Sequence, residues 1–175
     1  MSLIYVNPFV FAAAGAGLAV GDTGPGGGTV FLISAGLYYE FGPNQGTRTW
    51  STGSNQTLSV TGADGTAIGT GYQNSLDIAA QSGNVSGSCA AVLARAYTNN
   101  GFSDWFLPSK DEAVQMASTR ATTGFSNGGQ LTWTSSESAS NRAWLLWDNY
   151  EPTTSFGGAT KAYSARAYPI RSGLN

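Results

Sequence analysis

The chain has 175 residues, a net charge of −2, 24 glycines, 12% aromatic residues and only 10% charged ones. Such a chain is long enough for one domain with a buried core, and its profile is neither that of a disordered protein nor that of a collagen. With no histidine and a single cysteine, Cys89, it has no intramolecular disulfide, no histidine-based triad and no zinc site. Its eight Lys and Arg residues are scattered singly, so no nucleic-acid surface is expected.

Residues 1–20 are apolar, with Leu3, Ile4, Tyr5, Val6, Phe9 and Phe11 followed by a small-residue tail. No positive residue precedes Arg48, unlike a signal peptide, and Pro8, Gly15 and Gly17 argue against a membrane span. The tract reads as an extended arm that packs on another chain or on its own domain, since so much apolar surface needs covering. Gly21–Gly28 is a glycine loop. No Lys follows it and a strand does, so it is a turn and not a phosphate loop.

Thr29–Ser34 and Leu37–Phe41 read as a hairpin. The Gly/Ser/Thr/Asn-rich stretch over 42–71 is expected to be ordered by packing, with Trp50 as its anchor. Asn74 or Ser75 is placed to cap a short helix ending before Gly83, and Ser88 to cap a second that stops at Asn99-Asn100-Gly101. Cys89, at the start of that second helix, reads as a buried small hydrophobe. Asn55-Gln-Thr57 and Asn84-Val-Ser86 match the glycosylation pattern, which matters only in a eukaryotic secretory route.

The run Gly101-Phe-Ser-Asp-Trp-Phe-Leu-Pro-Ser-Lys-Asp-Glu112 predicts a strand-like stretch, a proline and a capped helix from Lys110 to about Thr119. Ser109 and Glu112 stand at capping-box spacing, and Asp111 and Glu112 complement the positive end of the helix dipole. Leu131–Ser135, Ala143–Trp147 and Ala162–Ile170 are the remaining predicted strands.

Five pieces of this sequence occur in the order found in the Lcl C-terminal domain family, named for a collagen-like bacterial adhesin. They are Gly21-Asp-Thr-Gly-Pro-Gly-Gly-Gly-Thr-Val-Phe31, Ile68-Gly-Thr-Gly71, Ala94-Arg-Ala-Tyr97 leading into Gly101–Glu112, Trp133-Thr-Ser-Ser-Glu-Ser138 with Ala143-Trp144, and Ala165-Arg-Ala-Tyr-Pro-Ile-Arg171. The chain resembles this family over residues 21–171. The resemblance implies a compact α+β module related to the C-type lectin-like fold, found on bacterial surface proteins and phage tail or decoration proteins, with a role in adhesion. The namesake's collagen-like stalk is absent, and so is the basic surface that glycosaminoglycan binding wants.

Among candidate binding residues, Trp147, Asp148, Asn149, Tyr150 and Glu151 set hydrogen-bonding groups beside an aromatic platform, the combination that sugars require. In a strand over 143–147, Trp144 and Leu146 share one face and Leu145 and Trp147 the other. A glycosidase needs two carboxyls about 5–9.5 Å apart. Asp111 and Glu112 are explained by capping, and Asp104 by a turn or a buried hydrogen bond. Glu137, inside a neutral segment, is expected to pair with Arg142 or Arg166. No Asp-x-Asp-x-Asp calcium loop occurs, Asp148-Asn149 with Glu151 is the one local oxygen cluster, and no cofactor is expected.

The reading is therefore a small α+β domain (residues 21–175) behind an apolar arm (residues 1–20). Its function is that of a non-enzymatic virion surface module, a tail fibre or capsid decoration protein. The arm holds it to virion structural proteins or to its own copies, and the domain attaches to a host-surface glycan. The alternatives are an exported bacterial surface adhesin, a glycan hydrolase using Glu137 or Asp148, and a purely structural particle protein.

Overall fold

The apolar and aromatic runs of Thr29–Ser34 (β1) and Leu37–Phe41 (β2) form an antiparallel hairpin closed by Ala35 and Gly36, both at positive φ. Two such residues suit the tight hairpin turn, whose twist matches that of the strands. In this computed structural model the described residues are 17–147 and 155–175. They form an α+β fold with two sheets and three helices of seven residues or more. The arm residues Leu3, Ile4, Tyr5, Val6, Phe9 and Phe11 lie outside the described residues.

The last strand departs from expectation. In place of one strand over Ala162–Ile170 there are two, in different sheets: β7 at Ala165–Arg166 and β8 at Ile170–Leu174. Pro169 separates them, since it has no N–H to give to a ladder. Its carbonyl accepts instead from Gly42 N at 2.8 Å. β8 pairs antiparallel with β2 and completes a three-stranded sheet in the order β1-β2-β8.

The second sheet has the order β3-β7-β4-β5-β6, with β3 at Thr47–Arg48, β4 at Thr132–Ala139, β5 at Arg142–Trp147 and β6 at Ser155–Thr160. It is antiparallel except for one parallel contact between β4 and β7. Between Trp133 and Glu137, β4 advances four residues while its partner β5 moves two, from Leu145 to Ala143. Such an irregularity frees backbone and side chains to bond elsewhere. Here Ser135 N donates to Pro108 O at 2.7 Å, and the Ser136 hydroxyl donates to Gly65 O at 2.6 Å.

This sheet divides two cores. Consecutive residues of a strand face opposite ways, so Leu145 enters one core and Leu146 the other. The first core holds Trp50, Ile78, Ala91, Leu107 and Trp133, under helices α1 (Gly71–Ala80) and α2 (Ala90–Ala96). The second holds Phe31, Phe106, Met116, Phe125 and Ile170, beside helix α3 (Lys110–Ser118). A short helix α4 follows at Arg120–Thr123. Trp50 anchors the irregular segment as expected, fully buried with its indole N–H on Thr134 O at 2.8 Å.

The expected caps of α1 and α2 are corrected. Helix α1 begins at Gly71, so Asn74 and Ser75 lie inside it, buried. Their side chains reach out of the helix, Asn74 to Gly65 O at 2.6 Å and Ser75 to the Leu107 N–H at 3.0 Å. Ser88 does not cap α2; its hydroxyl meets that of Thr52 at 2.8 Å, and the helix ends at Ala96. Gly101–Leu107 forms no strand and makes only isolated bridges, at Phe102 and Phe106. Cys89 is fully buried against Trp50 O, and burial raises its pKa, as befits an inert thiol.

The glycine loop ends against a buried ion pair. The Glu40 carboxylate accepts from Gly26 N at 2.8 Å, Gly28 N at 2.7 Å and Arg171 Nη1 at 2.9 Å. A Cβ on Gly26 would fall 2.7 Å from Glu40 Oε1, so only glycine lets the backbone come this close. Arg171 also binds both oxygens of Asp104, at 2.9 and 3.1 Å, and stacks 3.8 Å above the Phe102 ring. Asp104 is thus a hydrogen-bond acceptor, and Arg171 holds its carboxyl below the usual range despite the opposing effect of burial.

Arg171→Met leaves Glu40 buried without its cation. Urea denaturation is expected to show a loss of about 3–5 kcal/mol, the usual consequence of breaking one half of a buried pair. Asp104→Asn, at the half-exposed end of the same network, is expected to cost less.

Candidate functional site

Glu112 and Glu137, weighed as chemical candidates, are both bonded within the fold, as Asp104 is. Ser109 and Glu112 form the predicted capping box: the Ser109 hydroxyl accepts from Glu112 N at 3.3 Å, and Glu112 Oε2 accepts from Ser109 N at 2.7 Å. The other oxygen, Oε1, accepts from Gly69 N at 2.8 Å, which ties the loop before α1 to the start of α3. A Cβ on Gly71 would lie 2.2 Å from Oε2, so the Ile68-Gly-Thr-Gly71 motif is shaped by this carboxylate. Burial raises the pKa of Glu112 further than those amide hydrogen bonds lower it.

Glu137 forms an ion pair, but not with Arg142 or Arg166. Its partner is Lys161, at 3.1 Å and fully buried. Lys161 Nζ also donates to Leu58 O at 2.7 Å and sits 4.5 Å from the centre of the Trp50 ring. Glu137 Oε2 accepts in addition from Val60 N at 2.7 Å. Arg142 and Arg166 donate instead to the carbonyls of Gly158 and Asn127. Burial lowers the pKa of Lys161, and Glu137 opposes that shift.

Trp147 is 41% exposed at the end of β5. Asp148, Asn149, Tyr150 and Glu151 lie outside the described residues, so the aromatic platform is represented by Trp147 alone. Trp144 is half-buried, with Lys110 Nζ 4.6 Å from its ring centre. Among the described residues no group of His, Cys, Asp or Glu has the arrangement of a metal site. The two glycosylation-type asparagines hydrogen-bond to each other, Asn55 Nδ2 to Asn84 Oδ1 at 3.1 Å, and each amide also donates to a backbone carbonyl.

A pocket of about 320 Å³ lies at the open end of the β1–β2 hairpin, where Thr29 pairs with Phe41. Gly27, Gly28 and Thr29 form one wall, Phe41, Gly42 and Pro43 a second, and Gly124, Phe125, Ser126 and Tyr168 the third. Phe125 meets Phe41 and Tyr168 edge to face, with centroids 5.3 and 5.2 Å apart. Tyr168 is fixed by donation from its hydroxyl to Ser126 O at 2.9 Å. The sequence signals for this pocket were a glycine loop, a strand end and a Tyr-Pro pair, which only the tertiary fold brings together.

The opposite end of the same hairpin holds both ends of the described chain. Asn175 N donates to Gly36 O at 3.0 Å, and a Cβ on Gly17 would lie 3.2 Å from Asn175 Nδ2. From there residues 17–23 run along β1, with Gly21 N on Val30 O and Val30 N on Asp22 O. The six residues of β1 therefore separate the pocket from the point where residues 1–16 attach, a distance of roughly 20 Å.

The sequence matches no protein-family model and no curated protein.

Glu137→Gln strands Lys161 as a buried cation. The variant is expected to lose about 3–5 kcal/mol in urea denaturation. For Glu112 the raised pKa means that the folded state holds its proton to higher pH than the unfolded chain does. Its contribution to stability therefore falls as pH rises from the ordinary carboxyl range through the folded pKa. A carboxyl-carbon NMR titration is expected to place its midpoint above that of an exposed glutamate.

Proposed function

We propose that this chain is a non-enzymatic, adhesin-like display module of a virion, a tail fibre or capsid decoration protein. Residues 1–20 hold it to other virion proteins or to its own copies, and the domain meets a host-surface glycan. The observation that carries this reading is the opposition of pocket and chain ends across one hairpin. A module tethered at the Gly36 end turns its pocket away from whatever holds it. The order of motifs shared with the Lcl C-terminal domain family, over residues 21–171, supports the same reading.

The carboxylates support the non-enzymatic part of it. Glu40, Glu112 and Glu137 are each bonded to backbone amides, and two of them also to a buried cation. Hydrolysis needs a carboxyl free to give or take a proton beside substrate, and these three are turned inward. Lys161 and Arg171 are likewise spent inside the protein, which leaves little positive surface for nucleic acid. Among the described residues no helix is long and apolar enough to cross a membrane.

The test is assembly by the full chain. The native protein is expected to form a defined oligomer by light scattering, or to co-sediment with particles. Phe9→Asp combined with Phe11→Asp is expected to give a monomer of unchanged circular dichroism. Identical monomers that both fail to co-sediment would overturn the role of the arm.

A further inference from the structure

The pocket at the open end of the hairpin is more specific in its chemistry than a general glycan site. We infer that it takes a single uncharged pyranose ring and rejects uronic and sulfated sugars; this rests on the glycan reading above and narrows it. The first argument is charge. None of the ten residues lining the pocket carries an ionisable acid or base other than the Tyr168 phenol. Arg166 stands behind Tyr168 at 3.5 Å from its hydroxyl and is held by Asn127 O at 2.6 Å.

Behind the opposite wall the Glu40 carboxylate is already neutralised by Arg171. Glu40 Oε2 is 2.7 Å from the nitrogen of Gly28, itself a lining residue. An anion entering the pocket would lose its water and find no charged side chain on the lining to meet it. Burying an ion without a partner is far costlier than burying a hydroxyl that finds one. A neutral sugar meets no such penalty. Its hydroxyls face backbone groups and the Thr29 and Ser126 side chains, and its apolar face can lie on Phe41 and Pro43.

Size is the second argument. A pocket of about 320 Å³ is at the low end of the range of about 300–1,000 Å³ for ligand sites, which suits one ring and not an oligosaccharide. The ligand is then a chain end or a branch tip, with the remainder of the glycan outside.

The experiment is an amide NMR titration of the full chain with methyl gluco-, galacto- and mannopyranosides and, in parallel, methyl glucuronide and a sulfated methyl glucoside. At least one neutral glycoside is expected to shift Gly27–Thr29, Gly124–Ser126 and Tyr168, and to bind at least about tenfold more tightly than either charged sugar. Ser126→Trp, at an exposed lining position, is expected to abolish those shifts. Thr29→Lys is expected to admit methyl glucuronide, a gain that misfolding cannot imitate. Equal or tighter binding of a charged sugar overturns the inference and leaves the glycan reading standing. So does a neutral sugar that shifts Trp147 and survives Ser126→Trp. If no sugar shifts any residue, the glycan reading itself fails and takes this inference with it.

Discussion

The contact between the Glu40 carboxylate and the backbone of Gly26 and Gly28 is the constraint on which the domain's order depends. A carboxylate removed from water needs donors on both oxygens, and the chain supplies them from a loop with no regular structure of its own. Arg171 neutralises the charge, and its other contacts join the hairpin to the Asp104 segment. Glu112 orders the loop before α1 in the same way, and Glu137 orders the segment around Val60. A protein with little regular structure between residues 42 and 70 thus gains definition from buried glutamates that act as local templates.

This arrangement also explains why so many glycines coexist with a rigid interior. Glycine usually loosens a chain, because it has the most conformational freedom to lose. At Gly26 and Gly71 the missing side chain instead makes room for a carboxylate at hydrogen-bond distance. The glycine loop and the Ile68–Gly71 motif are therefore each held by a buried carboxylate.

Sequence alone was most informative where structure is local. The β1–β2 hairpin and the capping box of α3 follow from patterns within a few residues, and both stand where those patterns put them. The α1 start was misjudged because Asn74 and Ser75 have the chemistry of caps but spend it on distant backbone. Pro169 gave a readable local reason to break the last strand, yet the assignment of its halves to different sheets depends on long-range pairing. Lys161 was indistinguishable from a surface lysine, since nothing near it in sequence announces Trp50 or Glu137. The pocket was hidden for the same reason: its walls come from residues more than a hundred positions apart.

Arg171 lies within five residues of the C-terminal Asn175, yet it neutralises a carboxylate in the second strand. During synthesis Glu40 emerges 131 residues before its cation. Until then the glycine loop has a charged template that cannot be buried, and β2 lacks its β8 neighbour. The β1-β2-β8 sheet is complete only once Ile170–Leu174 has been made. A chain cut before Arg171 would leave the Glu40 carboxylate without that cation. In this way β8 both completes the three-stranded sheet and brings the cation that its middle strand needs.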